Sequence, residues 1–569
     1  MRTRAHAALA VVLTASAVAV AQPTVPFTEE AAVRGINFQS LSQAPGFGQG
    51  VAFVDLDSDG DADLVALRPA GVLGLYQNNG QGIFTDRSVN LALSSMAGIS
   101  SADFDADGDM DLFITRWFEP NVFLRNDGNY VFVNIAPALG LNERAAAMSS
   151  CWGDYNSDGY PDLYVANRTL SNDPLPPFGL SMTPNRLYRN NGGGSFTEVA
   201  GPLGVSCGQD QTLQAAWFDY DKDGDVDLYI SNDHGASACF NRNRLFRNDG
   251  PAGFVNVSAA SGTDGCIDAM CIALGDFDNN RFQDIYVTNT PAQNYLYMSQ
   301  ANGTFLNRAV EAGVASYATG WGSSFVDIDN DGRLDLYVAN MAAPNRMYWN
   351  PGSPANWPCP NLAQPLGLAL NGYSFGTAIA DVDADGDMDL ALSSDFYQLQ
   401  GPGRVRLYIN QTNQSASWAR FRIVGTGANR NAIGALIEVR TGSTWQIRSI
   451  VAGDSYKSQS EFVAHFGLGG YEAIDELVVR WPGGTVTRTV RNLPARGTWT
   501  VTPPAACPAD ANGDGLVSTP DVSAFLSNWF ADIPGRNLRS DINNLGGITT
   551  ADITAFLSAW FAALAEGGC

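Results

Sequence analysis

Between residues 50 and 410 the apolar residues fall into short runs bounded by turn residues, and the runs recur in a fixed order. Gly50-Val-Ala-Phe-Val54 leads into a polar stretch, and Asp63-Leu-Val-Ala-Leu67 leads out of it, as Asp335-Leu-Tyr-Val-Ala339 does further on. An Asn-x-Leu-Tyr-x-Asn phrase follows, as at Asn185–Asn190; its variant at Asn243–Asn248 has Phe for Tyr. An Asn-Gly or Asp-Gly turn then opens a run headed by phenylalanine, such as Phe196-Thr-Glu-Val199. Runs of this length and composition predict strands, and the Asn-Gly and Asp-Gly pairs predict hairpins. Each unit therefore reads as four strands, and seven units are present.

The polar stretch inside each unit carries its candidate chemistry. Oxygen-bearing side chains stand at positions 1, 3, 5 and 9 of a nine-residue loop, normally with glycine at position 6. The seven sets are Asp55, Asp57, Asp59 and Asp63; Asp103, Asp105, Asp107 and Asp111; Asp154, Asn156, Asp158 and Asp162; Asp219, Asp221, Asp223 and Asp227; Asp276, Asp278, Asn280 and Asp284; Asp327, Asp329, Asp331 and Asp335; and Asp381, Asp383, Asp385 and Asp389. Alternate positions of a tight loop can point inward at one centre, and calcium takes six to eight oxygens at about 2.3–2.6 Å. The glycine permits a bend that needs positive φ. The parallel with EF-hand loops ends at position 9, because apolar strand-type residues follow in place of a position-12 glutamate. The fifth loop has Arg281 where glycine belongs, so it should bind most weakly, or be held shut by the arginine charge.

Successive loops are 48, 51, 65, 57, 51 and 54 residues apart, a period that indicates propeller blades. The seventh unit lacks a Phe-headed run after Val405–Asn410. Residues 27–36 match Phe196–Val205 and Phe305–Val314 and are expected to supply that outer strand, closing the ring and covering its edge. With these motifs, residues 27–410 resemble the FG-GAP/VCBS repeats of integrin α-like propellers. The resemblance implies structural calcium loops on one face. Long 2–3 connections (167–184, 232–241, 395–403) fall on the other face, with Phe178, His234, Phe396, Tyr397, Trp117 and Phe118 as candidate ligand contacts.

Residues 418–502 change grammar. Phe421–Thr426, Asn429–Ala435, Gly453–Ser460, His465–Gly469 and Val479–Gly484 together resemble the ASPIC/UnbV domain that follows such propellers in the cartilage acidic protein family. Asp454, Ser455, Lys457 and His465 allow a catalytic reading, but no nucleophile elbow supports it. After a linker at 503–506, residues 507–569 repeat a loop–helix plan. Asp510, Asn512, Asp514, Ser518 and Asp521 precede the helix 522–530; Asp541, Asn543 and Asp552 precede the helix 553–561. This module resembles a type I dockerin ending in Gly-Cys, which implies a cohesin-like or envelope partner. Leu545 at position 5 puts the second calcium site in doubt.

The formal net charge of −25 is mostly loop chemistry, and it argues against a nucleic-acid partner, which selects basic surfaces. Arg2, Arg4 and the apolar run 7–20 read as a signal peptide ending at 21, and no later stretch reaches the ~20 apolar residues of a membrane span. Of eight cysteines, Cys507 and Cys569 are expected to pair. The fold class is therefore mainly β: residues 22–412 as a seven-bladed β-propeller with calcium loops, a small β-rich domain, and a small α-helical dockerin-like module. The expected function is non-enzymatic adhesion or recognition of a protein or glycan at the cell surface, with several Ca²⁺ ions. The alternative is a carbohydrate-active enzyme or lectin displayed on a dockerin-type scaffold.

Overall fold

The computed structural model describes residues 26–40, 48–67, 71–169, 183–208, 210–233, 239, 241–290, 292–352, 354–395, 403–412, 415–425, 427–505, 507–512 and 517–566. Residues 1–21, Phe178, His234, Phe396, Tyr397, Asp514 and Cys569 lie outside them.

The strand pattern expected from the apolar runs recurs along the chain. In the fourth unit, Gln211–Phe218, Asp227–Asp233, Arg244–Asn248 and Phe254–Asn256 pair in that order, each antiparallel to the next. Ala269–Gly275, Asp284–Asn289, Tyr295–Ser299 and Phe305–Asn307 repeat the arrangement in the fifth. The sixth unit differs from expectation: its outermost strand is reduced to one bridge between Tyr348 and Asn361. Pro351, Pro354, Pro358 and Pro360 crowd that segment, and proline cannot donate to a ladder. In the seventh, Thr28–Glu29 pairs antiparallel with Gly403–Ile409, Thr28 opposite Ile409 and Glu29 opposite Tyr408. The innermost strands touch one another in chain order, and Asn371–Ala380 returns to Val51–Val54. Among the described residues, the sheet units thus follow one another in a closed circle.

Residues 417–501 form two sheets around a shared core. In one, Ser417–Ile423 lies antiparallel to Val463–Gly469 and parallel to Gly497–Val501. The other runs Thr444–Ser449, Leu436–Thr441, Ala473–Arg480, Thr487–Pro494. Phe421, Phe466, Trp481 and Trp499 fill the space between them.

The segment Gly453–Ser460 leaves this domain and enters the middle of the circle. Tyr456 is fully buried among Met148, Leu213, Met270, Cys271, Trp321 and Phe375, which come from five different units. Around it the backbone pairs with innermost strands: Ile99 N–H donates to Lys457 O (3.0 Å), Phe53 N–H to Gln459 O (3.0 Å), and Trp152 N–H to Ala452 O (3.3 Å). Gln214 Nε2 reaches Gly453 O at 3.4 Å, and Thr377 Oγ1 shares a hydrogen with Ser455 Oγ at 2.8 Å. Glycine makes room for so close an approach. A Cβ on Gly50 would stand 1.7 Å from the Lys457 carbonyl oxygen, and one on Gly376 would stand 2.1 Å from Ser458 Oγ.

At the C-terminus, helices Thr519–Gly535 and Thr550–Glu566 pack with the Phe525 and Phe556 rings parallel at 4.1 Å. Trp529 Nε1 donates to Thr549 O (3.0 Å) and Trp560 Nε1 to Ser518 O (2.9 Å), a reciprocal pair across a local two-fold. No described helix is long and apolar enough to cross a membrane.

Because Tyr456 fills the centre of the circle, Tyr456→Ala should leave an aromatic-sized cavity and cost about 3–5 kcal/mol in denaturant unfolding. A loss under ~1 kcal/mol would mean that the ring does not pack on this segment.

Candidate metal centres

Each acidic loop is shaped by the same backbone bonds. The position-6 amide donates to the position-1 carboxylate, as in Gly60 to Asp55 (3.0 Å), Gly224 to Asp219 (3.1 Å) and Gly332 to Asp327 (2.9 Å). Position 6 has φ of +87° to +104° in the six loops with glycine there and +74° at Arg281. The position-9 aspartate is held from two sides. Asp227, for example, accepts Tyr220 N–H (3.0 Å) and Asn248 N–H (2.8 Å). The same two bonds recur at Asp63, Asp111, Asp162, Asp284, Asp335 and Asp389.

This shape gathers carboxylates. In Asp55–Asp57–Asp59, Asp103–Asp105–Asp111, Asp219–Asp221–Asp227, Asp276–Asp278–Asp284 and Asp327–Asp329–Asp335, ligand oxygens lie within 4.8 Å of one another. Position 9 is the third member in four of these sets, whereas position 5 is the third in the first loop. Asp107 and Asp223 are exposed, and Asp331 turns to Arg333. In the third loop, Asn156 Nδ2 donates to Asp158 at 2.8 Å. In the seventh, Arg420 pairs with Asp381 at 3.1 Å and with Glu461 at 2.7 Å.

Buried oxygens left without a hydrogen-bond donor show what these clusters suit. They include Oδ1 of Asp55, Asp57, Asp103, Asp219, Asp221 and Asp383. A buried carboxylate oxygen without a donor is costly, and a metal ion is the partner that satisfies several at once. The residues present fit such an ion, which would supply positive charge and cross-link the two strands of each loop. Without it, burial pushes the Asp55 carboxyl up to about 6, Asp63 to about 7 and Asp111 to about 8. Asp162, Asp227, Asp284, Asp335 and Asp389 are driven well above the usual carboxylate range, again chiefly by burial.

The last asparagine of the Asn-x-Leu-Tyr-x-Asn phrase has a role that its spacing did not disclose. Its side chain crosses to the preceding unit and donates to the carbonyl at loop position 2. Asn126 reaches Leu56 O (2.8 Å), Asn190 reaches Phe104 O (2.9 Å), Asn248 reaches Tyr155 O (2.7 Å), Asn350 reaches Phe277 O (2.7 Å) and Asn410 reaches Ile328 O (2.9 Å). Asn78 closes the series onto Val382 O of the seventh unit at 2.8 Å. The fifth unit has Ser299 at this place.

That unit also corrects an expectation. Arg281 does not shut its loop. The guanidinium points away, over the Trp445 ring at 4.3 Å, and pairs with Glu438 at 2.9 Å. Glu438, 1% exposed, also receives Lys222 (3.1 Å) and Arg480 (3.3 Å). The second domain covers the loop face throughout. Gly483 N–H meets Gly224 O (2.9 Å), Gly469 N–H meets Asn330 O (2.7 Å), and the Arg422 guanidinium donates to Gly60 O.

The four candidate catalytic groups do not converge. Asp454 accepts Ser460 N–H (2.7 Å), Ser455 bonds Thr377 (2.8 Å), Lys457 donates to Gly48 O (3.2 Å), and His465 Nε2 lies 3.1 Å from Gly386 O. Burial lowers the His465 pKa to about 3 and that of Lys457 to about 7. On the opposite face, the Trp117 and Phe118 rings meet edge-on at 4.7 Å; Phe118 is buried, and Trp117 packs over the cluster around Tyr456. In the terminal module, Asp521 accepts Ser518 N–H (2.7 Å) and Asn512 N–H (3.2 Å), and Asp552 accepts Thr549 N–H (2.8 Å). Cys239 pairs with Cys266, and Cys507 is disulfide-bonded.

Comparison with known proteins matches this architecture. A model of the FG-GAP-like repeat matches residues 55–114, 103–165, 178–230, 276–338 and 327–392, and the ASPIC and UnbV model matches 425–508. The chain therefore carries FG-GAP repeats and an ASPIC/UnbV domain. It is related to cartilage acidic protein 1. The Mus musculus protein is 28% identical over 370 residues, covering 62% of this chain and 54% of that protein. The Homo sapiens protein is 27% identical over 375 residues, with coverages of 62% and 53%. The chain spans about half the length of these curated relatives. The solved structure of BBS1N in complex with ARL6DN, soaked with lead, shares 11% identity at a TM-score of 0.40, covering 66% of this chain and 98% of that one; an overlap so loose carries no weight.

The raised carboxyls set the sign of the pH dependence. In the ion-free chain they hold protons more tightly folded than unfolded. Stability should therefore be greatest near the unfolded value of ~3.9 and should fall as pH rises through the folded values. The folded values run from about 6 at Asp55 to about 8 at Asp111. Thermal unfolding in chelator should show Tm dropping from about pH 4 to about pH 8, with excess calcium restoring it. A Tm unchanged by chelator at pH 8 would contradict the metal reading.

Proposed function

We propose that the chain is an exported, calcium-loaded seven-bladed propeller that acts as a non-enzymatic recognition module at the cell surface. Calcium is the ion of choice because the donors are hard oxygens at alternate loop positions. The observation that carries the reading is the covered loop face. The ASPIC/UnbV domain sits on the ends of the strands where the acidic loops lie and fills the centre from that side. The face with the long connections is left as the recognition surface, on a scaffold stiffened by ions. Asp454, Ser455 and Lys457 hold the central segment in place, which favours binding over turnover.

Export is supported by the apolar run at 7–20, and the Cys239–Cys266 disulfide suits an oxidising compartment. The paired helices with reciprocal Trp529 and Trp560 bonds support a dockerin-like attachment module with a cohesin-like or envelope partner. A glycan array probed with the mature chain, with and without calcium, tests the choice between binder and enzyme if each glycan is also assayed for turnover. Calcium-dependent retention with the glycans intact is expected for a glycan ligand, and retention on envelope proteins alone for a protein ligand. Cleavage of any retained glycan would overturn the non-enzymatic reading.

A further inference from the structure

The two halves of the terminal module repeat residue for residue: Asp510 and Asp541, Asn512 and Asn543, Ser518 and Thr549, Asp521 and Asp552, Phe525 and Phe556, Trp529 and Trp560. The two loops nonetheless differ at position 5. The second loop has Leu545 at position 5, a hydrocarbon side chain 57% exposed, where the first has Asp514. Its remaining side-chain oxygens are fixed by the same bonds within the loop that shape the ring loops. Asp541 accepts Leu545 N–H and Gly546 N–H, both at 3.2 Å, and Asn543 Oδ1 accepts Leu545 N–H at 2.9 Å. Asp552 accepts Asn543 N–H (3.3 Å) and Thr549 N–H (2.8 Å). Side chains alone fall well short of the six to eight oxygens that calcium takes.

Positive charge comes to this loop from elsewhere in the chain. Arg488, on the edge strand Thr487–Pro494 of the β domain, is 6% exposed and lies against the loop. Nη2 donates to Leu538 O (2.6 Å) and Asp541 O (2.9 Å), Nε to Asn544 Oδ1 (3.0 Å), and Nη1 to Thr502 O (3.1 Å) and Thr502 Oγ1 (3.3 Å). All five guanidinium hydrogens are thus engaged, three of them on residues 538–544. Neighbouring contacts complete the joint. Arg491 N–H donates to Asn544 O (3.1 Å), and Arg536 lies over the Trp499 ring at 5.3 Å while its Nη1 reaches Arg496 O (2.9 Å). A Cβ on Gly546 would stand 2.0 Å from Arg491 O, so the loop and the strand meet backbone to backbone.

We propose that the second loop of the terminal module holds no metal ion, that the Arg488 guanidinium serves in its place, and that the module is thereby a fixed extension of the β domain. Only the first loop answers to calcium, a clause that rests on the metal reading above. The module is then a mount of defined direction. Phe530 (67% exposed) and Phe561 (63% exposed) are presented to a partner at a set angle to the ring. Arg488 is a positioning residue.

The test uses the full mature chain, with bound calcium measured after equilibrium dialysis and amide exchange followed by mass spectrometry at saturating calcium. Asp510→Ala should lower bound calcium by one equivalent, and Asp541→Ala should leave it unchanged. Arg488→Gln should speed exchange of residues 541–552 at least tenfold without changing the calcium count, while Arg488→Lys, which keeps the charge but not the fork, should fall between. Loss of one equivalent in Asp541→Ala would overturn the proposal, as would unchanged exchange in Arg488→Gln. If Asp510→Ala also loses no calcium, the metal reading of the first loop fails, and the exchange result alone decides the role of Arg488.

Discussion

Carboxylates packed together and kept from water are the constraint on which this structure depends. In five loops, three of them present oxygens within 4.8 Å of one another. Two like charges at ~4 Å repel by roughly 4 kcal/mol at an effective dielectric of 20. One inter-unit asparagine bond returns about 1 kcal/mol. Once the carboxylates are ionised, the asparagine latches alone do not offset their repulsion; protons relieve it at low pH, and at neutral pH the clusters call for a counter-charge. Loop, latch and circle form one chain of dependence: the counter-charge sets the loop, the loop carbonyl receives the latch, and the latch joins neighbouring units.

The chain answers the constraint in two ways. Where side-chain oxygens lack donors, as at Asp55, Asp103 and Asp219, the site suits an ion. The β domain also brings arginine to several of the loops. Arg420 lies on Asp381 and Arg430 stands 3.7 Å from Asp103, while Arg448 is half-buried near Asp276 and Asp327. All basic residues except Lys222 and Lys457 are arginine, whose planar, always-charged fork suits fixed, buried pairing. Glu438 applies the same logic in reverse, one buried carboxylate gathering Lys222, Arg281 and Arg480. It explains why the fifth loop tolerates Arg281 at positive φ: the loop gives up glycine's ease and gains an ion pair to the covering domain.

Local pattern made much of this legible. Strand order within a unit, the acidic loops and the likeness of Phe27–Ile36 to Phe196–Val205 all follow from short-range periodicity. What was not legible depends on partners far away in the chain. Gly453–Ser460 is polar, and polar residues close together suggest chemistry. Here their hydrogen bonds go to innermost strands three hundred or more residues away, at Val51, Phe53 and Ile99. The latch asparagines stand out as the end of a repeated phrase, but nothing local marks a side chain that crosses to another unit. Arg281 was expected to act on its own loop, since Glu438 and Trp445 lie in another domain. In the sixth unit four prolines leave only one bridge where the outer strand is expected.

Anomalous diffraction from crystals grown with calcium, recorded at long wavelength, tests the central claim most directly. The account predicts a peak in each of the five loops with clustered carboxylates, among the position-1 and -3 oxygens with position 9 or, in the first loop, position 5, including the Asp276 loop despite Arg281. Loops that carry only water, with their carboxylates protonated or splayed apart, would contradict it.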